Sequence, residues 1–321
     1  MSLFDSYAAG DWDTPDLYQL MQVLVSVEAL FHPLRPLLYP FLVPRNAQRH
    51  EYAAVSDHYE MKDIDFRALT LDSAYSATPS HLDPGSLENA RSKSVEILLQ
   101  RTRKRTIEQS SVLDLGCGWG AYSKLGRQTW KAYHGVTLSR AQQEWCVKLG
   151  HPSTSFRLGN FLDPNTWAEQ DVDVILLIES LEHIRKQDFR NLFTGLRCRY
   201  PSALLIVQVT TRSGWFSGLR NRTASAVPEL VFPGPGNFPT RRSITSAALS
   251  SGYRSLEVQD LTSEYAETLR QWHQRAELTL HTQSDSRRMM AIYLASAAAA
   301  LGHRTLANYR LIFDASGRVR G

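Results

Sequence analysis

The stretch Ser111-Val-Leu-Asp-Leu-Gly-Cys-Gly-Trp-Gly-Ala121 decides how the rest of the chain is read. Residues 112–115 have the length and apolar character of a buried strand. Gly116, Gly118 and Gly120 follow at alternate positions, and glycine allows backbone angles and close approaches that other residues resist. The spacing predicts a turn that opens onto a helix over residues 121–129, with amide N–H groups pointing outward from its first turn. In an open parallel sheet, a nucleotide-like ligand binds at such a place, beside the carboxyl ends of the strands. A tight strand–helix turn without a ligand would not need three glycines and an acid inside the strand.

Gly116, Gly118 and Ala121 also satisfy the bare dinucleotide spacing G-x-G-x-x-G/A, which is weak evidence alone. The acid expected about 20 positions on for a nicotinamide dinucleotide is missing, because the chain there reads His134-Gly-Val-Thr-Leu-Ser139. Asp114 lies within an apolar strand end, and a carboxylate there is costly to desolvate without a polar partner. The α-amino group of an amino-acid-like cofactor, or amides of the turn, would supply one. The pattern D-x-G-x-G-x-G resembles motif I of the class I S-adenosylmethionine (SAM) methyltransferases.

Composition sets the class. The chain has 321 residues, 43% hydrophobic and 21% charged, ordinary for a globular protein. The net charge of +4 is diffuse, so nucleic acid is not expected as a partner. The run Arg101-Thr-Arg-Lys-Arg105 reads as a solvated helix end whose cations complement the macrodipole. Cys117, Cys146 and Cys198 make neither a metal spacing nor a disulfide framework, which suits a reducing cytoplasm. No signal peptide and no apolar stretch of about 20 residues is read, so no membrane span is expected.

Residues 1–54 read as a helical extension, with Tyr18, Met21, Leu24, Val25 and Leu30 roughly on one face. Four prolines between residues 32 and 44 then deny a regular helix. That segment is either a wall of a pocket or dimer contact, or an inert strap. Residues 55–321 form the expected catalytic domain. After a helix over 86–104, strands at 112–115, 132–137, 155–158, 172–179 and 203–210 alternate with helices at 140–149 and 186–197, the sign of a doubly wound α/β sheet. Residues 211–240 are a Pro/Gly-rich insertion, long enough to suggest a functional cap. Helices at 243–251, 265–278 and 287–299 and strands at 255–260 and 309–313 complete the reading.

The chain from about Val55 onward resembles the cyclopropane fatty acid and mycolic acid synthase family, which is also similar to plant benzylisoquinoline N-methyltransferases. The resemblance rests on Ser56-Asp-His-Tyr-Glu60, Ala74-Tyr-Ser76, the glycine stretch, Gly135-Val-Thr-Leu-Ser-Arg-Ala-Gln142, Ile178-Glu-Ser-Leu-Glu-His183, Phe232-Pro-Gly234 and Tyr265-Ala-Glu-Thr-Leu-Arg-Gln-Trp272. It implies a class I Rossmann-like sheet with an antiparallel last strand. It also implies that Asp114, Gly116 and Gly118 hold the methionine part of SAM, that Thr137, Leu138 and Gln142 hold the ribose side, and that Asn160 and Phe161 meet the adenine. Tyr75 and Ser76 would close over the cofactor. Ser139 and Gln142 also fit a helix capping box, and Asn160 an ordinary turn.

Glu179, Glu182 and His183, at the carboxyl end of a strand, suit proton transfer, since charges that close shift one another's pKa. By resemblance they match the catalytic cluster of the N-methyltransferase branch. In the cyclopropane branch the positions of Glu182 and Tyr265 help hold a bicarbonate that acts as base. Two departures weaken that analogy: Ala77 stands in place of a cysteine, and Gln208 in place of an imidazole that can carry positive charge. The expected reaction is therefore simple methyl transfer to carbon, on an alkene-bearing isoprenoid or other apolar small molecule, with Glu182 or His183 as base. Tyr75, Trp215, Tyr265 and Trp272 are candidates to face a developing cation, though core packing also accounts for the tryptophans. Amine N-methylation, cyclopropane formation on acyl chains and a non-catalytic partner subunit are the alternatives, and homo-oligomerisation stays open.

Overall fold

A computed structural model describes residues 3–30, 76, 95–96, 106–125, 128–212, 238–279 and 285–315. In chain order these form α1 (Leu3–Ala8), α2 (Leu17–Leu30), β1 (Ser111–Leu115), β2 (Lys124–Leu125), β3 (Gln128–Thr129), β4 (Ala132–Thr137), α3 (Arg140–Leu149), β5 (Thr154–Leu158), β6 (Val174–Ile178) and α4 (Phe189–Arg199). They continue with β7 (Leu204–Arg212), α5 (Arg241–Ser250), β8 (Arg254–Asp260), α6 (Thr262–Thr279), α7 (Asp285–Gly302) and β9 (Leu306–Asp314).

Seven strands make one sheet in the order β5-β4-β1-β6-β7-β9-β8. The strands from β5 to β7 are parallel, and β9 runs antiparallel between β7 and β8. This is the class I methyltransferase arrangement. The chain leaves β1 toward β4 and β5, then returns to build β6 and β7 on the other side. Strand order therefore reverses between β1 and β6, and a crevice opens at their carboxyl ends.

One face of the sheet packs Leu113, Ile175, Leu205 and Leu311 against Phe189, Phe193 and Ile244 of α4 and α5. The other packs Val112, Val174, Leu176 and Ile206 with Tyr133 and Cys146. A further core joins α1, α2, α6 and α7 through Leu17, Met21, Leu269, Trp272 and Ile292. The N-terminal helices are thus packed on α6 and α7. The proposed boundary near residue 54, most of the 86–104 helix and residues 213–237 of the insertion lie outside the described residues.

The helix expected over 121–129 does not form. Gly116, Gly118 and Gly120 have φ of +94°, +52° and +77°, so the chain is still outside the right-handed helical region at Gly120. Lys124 and Leu125 instead pair antiparallel with Gln128 and Thr129. The Trp130 indole donates to the Tyr122 carbonyl at 2.7 Å, and the Lys131 amide donates to Ser110 at 3.0 Å. The segment is spent on returning to the start of β4. By contrast α3 has the expected bounds: Ser139 caps its first turn and Gly150, at φ +61°, ends it.

Candidate active site

The site grows from the ends of β1 and β6. Asp114 is buried, and its Oδ2 accepts from the Tyr133 hydroxyl at 2.5 Å. Burial pushes its carboxyl up to about 7, and the tyrosine bond only partly offsets this. Its Oδ1 has no partner among the described residues.

The glycines beyond it divide their work. A Cβ on Gly116 would lie 2.5 Å from the Ser180 Cβ, and one on Gly120 would lie 2.9 Å from the Cys146 sulfur, whereas one on Gly118 would meet nothing within 4 Å among the described residues. Gly116 and Gly120 therefore serve packing, and Gly118 leaves its backbone open to a ligand. Among the described residues, the Trp119 indole nitrogen and the Ser76 hydroxyl are buried without a partner. The unpaired Asp114 oxygen and the open backbone at Gly118, four residues on, fit the ammonium end of an amino-acid-like cofactor, since a buried polar group left unpaired is costly.

Among the residues expected on the ribose side, the Thr137 hydroxyl donates to Gln142 Oε1 at 2.6 Å, and the Ser139 hydroxyl accepts from the Gln142 backbone amide at 3.3 Å. The capping role and the approach of Gln142 to Thr137 are thus filled together. Leu138 is half-buried beside them. Asn160 Oδ1 accepts from the Leu162 amide at 2.9 Å, forming an Asx turn, and Phe161 is buried against the core that contains Trp167. Tyr75 lies outside the described residues.

The acid cluster sits one residue from the glycine turn. Ser180 Oγ donates to the Leu115 carbonyl at 2.8 Å, so Glu179 on one side and Glu182 on the other are held against the cradle. Glu179 has φ +47°, a region a glutamate seldom adopts. That conformation ends β6 one residue earlier than expected and turns the side chain onto β7 and β9. There Glu179 Oε1 accepts from Asn308 Nδ2 at 2.6 Å and from Gln208 Nε2 at 3.3 Å, while Oε2 accepts from Thr210 Oγ1 at 3.0 Å.

Glu182 and His183 follow in a single 3₁₀ turn. The Glu182 carboxyl is held well above the usual range, first by burial, then by the charge of Glu179 and a hydrogen bond to it. The backbone amides of Glu182 and Thr210 pull the other way. Burial and the neighbouring charge thus favour the proton on Glu182, and the two carboxyl groups work as a pair. Tyr265 is buried on the second turn of α6, and the start of that helix is tied to β9 through the Asn308 amide and the Thr262 hydroxyl at 3.1 Å. Trp272 packs in the helical core, and Trp215 lies outside the described residues.

Thr210, Asn308 and Arg310 escape a reading of the sequence alone. Gln208 pairs across the strands with Arg310, and Thr210 with Asn308. Period two puts all four on one face. The available signal was polar residues at i and i+2 in two otherwise apolar strands.

The sheet order, the glycine cradle and the acid cluster at its switch point define a class I SAM-dependent methyltransferase. The family model for mycolic acid cyclopropane synthetase matches residues 46–310, and the chain belongs to that family. It is similar to the tuberculostearic acid methyltransferase UfaA1 of Mycobacterium tuberculosis, 25% identical over 297 residues that cover 84% of this chain and 67% of that protein. Among solved structures, the M. tuberculosis cyclopropane synthase MmaA2 superposes with a TM-score of 0.71 at 20% identity, over 84% of this chain and all (100%) of that one. Coclaurine N-methyltransferase bound to N-methylheliamine and SAH gives 0.67 at 16% identity, over 97% and 98%.

Proposed function

We propose that this enzyme methylates a carbon of an alkene in an apolar substrate, an isoprenoid or an unsaturated lipid chain, and that the Glu179–Glu182 pair takes up the proton released. The observation that carries the reading is the contact of Ser180 with the glycine turn: its hydroxyl lies 2.8 Å from the Leu115 carbonyl. It supports the reading because Glu179, the neighbour of Ser180, is thereby held close to the glycine turn.

SAM supplies a methyl group activated on a sulfonium. Asp114, the open backbone at Gly118 and the Thr137–Gln142 pair are proposed to hold it, so rate comes from alignment. The alkene's π electrons form the new carbon–carbon bond as the sulfur–methyl bond breaks, which leaves positive charge on the neighbouring carbon. A C–H bond beside that carbon then gives its electrons to a new double bond, and its proton passes to the carboxyl pair. Such a step favours a negative, water-poor environment.

A second reading, closure of a cyclopropane ring, has support from the family match to residues 46–310. It differs only in which C–H bond is broken, that of the transferred methyl. Incubation with methyl-labelled SAM and, separately, an isoprenoid diphosphate, unsaturated lipid vesicles and an aromatic alkylamine tests the substrate class. Label in either alkene supports the reading; label in the amine alone overturns it.

A further inference from the structure

The family resemblance implies a bicarbonate base held near Glu182 and Tyr265, with a cationic donor at the position of Gln208. The residues present do not fit that anion. Among the described residues, three donors on β7 and β9, Gln208 Nε2, Asn308 Nδ2 and Thr210 Oγ1, donate to the Glu179 carboxylate instead, at 3.3, 2.6 and 3.0 Å. The Gln208 carbonyl also accepts from the Glu179 amide at 2.8 Å, which locks the backbone at φ +47°. A left-handed glutamate is disfavoured relative to glycine. It persists because the donor set over-determines it. A donor set that collects one carboxylate with both oxygens engaged has the chemistry of an anion site already filled from within the chain.

We propose that Glu179 is a built-in replacement for a dissolved anion: its carboxylate occupies the anion pocket, and the enzyme runs without bicarbonate. This rests on the proposed reading of the site as a proton acceptor for methyl transfer. The upward shift of Glu182 agrees with this, because the negative charge of Glu179 beside it favours the protonated form of Glu182. The proton leaves the substrate's C–H bond for the carboxyl pair, so no outside base enters the balance.

The test is to empty the pocket and offer small anions. Glu179→Gly removes the carboxylate and relieves the left-handed residue, so the variant is expected to fold. Thermal unfolding of wild type, Glu179→Gly and Glu179→Ala is followed in sodium formate or bicarbonate against sodium chloride at equal ionic strength. The midpoint of the two truncated variants should rise by roughly 3 °C or more at saturating formate, and that of wild type should not move relative to chloride. Methyl transfer by the truncated variants should fall about 100-fold and recover in part with formate or bicarbonate. Glu179→Gln, which refills the pocket with an amide, should fall as far and gain nothing from either anion.

Wild-type turnover that drops when dissolved carbon dioxide is removed and returns with bicarbonate would overturn the inference. So would truncated variants blind to every anion, or a Glu179→Gln enzyme as active as wild type. If no alkene is methylated under any condition, the proposed function fails instead, and the anion-dependent unfolding shift still decides this point.

Discussion

Arg310 donates two hydrogen bonds to the side-chain oxygen of Gln208, from Nε at 3.1 Å and from Nη2 at 2.8 Å. A guanidinium donates only, so the amide is obliged to present its oxygen to Arg310 and its NH₂ to Glu179. The cation that the sequence lacks at position 208 therefore reappears one strand away, behind a neutral amide. Arg310→Met leaves a buried amide free to turn its oxygen toward Glu179. We expect kcat/KM to fall about 10- to 100-fold, with stability lowered by about 3 kcal/mol, since a partner of a buried charged group is lost. Arg310→Lys should recover part of the rate. Steady-state kinetics beside urea unfolding checks both effects, and a pH–rate profile that does not move in Arg310→Met would reduce the role to packing.

The acid of the glycine stretch predicts how cofactor binding depends on pH. Asp114 is pushed up to about 7, against about 4 in an unfolded chain. Its contribution to the stability of the ligand-free protein is thus fully present below about pH 4 and is lost as pH rises through 7. Binding runs the other way, because the cofactor's ammonium favours the ionised acid. Affinity for S-adenosylhomocysteine should rise by up to about tenfold per pH unit until it levels off above 7. Calorimetry on either side of that value should show the slope in wild type and a flat, weaker response in Asp114→Asn.

Two neighbouring glycines should respond differently to the same methyl group. Gly116→Ala sets a Cβ 2.5 Å from Ser180 at φ +94°, so overlap adds to a strained backbone and the cost should reach about 3 kcal/mol. Gly118→Ala meets nothing within 4 Å and should cost only about 1–2 kcal/mol. Its effect should fall on binding, with affinity for S-adenosylhomocysteine reduced about tenfold or more. Equal losses of stability in the two variants would contradict this division.

The indole of Trp119 has a buried N–H with no partner among the described residues, in a turn where no helix N-terminus forms to offer amides. Trp119→Phe keeps the ring packing and removes the donor. It should weaken S-adenosylhomocysteine binding by roughly 3- to 10-fold, as for loss of one hydrogen bond to a charged group. Decarboxylated S-adenosylhomocysteine should bind wild type and variant alike, and a loss of the same size with that ligand would remove the indole from the cofactor's carboxylate.

The doubly wound core was legible because its signals are local. Buried strands announce themselves as apolar runs, and α3 is bounded by its own Ser139 cap and Gly150 stop. The first helix was misread because three left-handed glycines carry the chain past the point where a helix would begin. The acid cluster was legible as Glu179, Glu182 and His183, but not its wiring. Asn308 and Arg310 stand 129 and 102 positions from their partners Glu179 and Gln208. Only the antiparallel insertion of β9 beside β7 brings them there, and no periodicity in either strand reports that pairing.

The fate of the methyl hydrogens tests the central claim most directly. The enzyme is supplied with SAM carrying a trideuterated methyl group and an alkene substrate, and the product is read by mass spectrometry and NMR. Methyl transfer followed by proton loss from the substrate's own carbon predicts a product that keeps the CD₃ group whole. A product that carries a CD₂ bridge within a three-membered ring would contradict it.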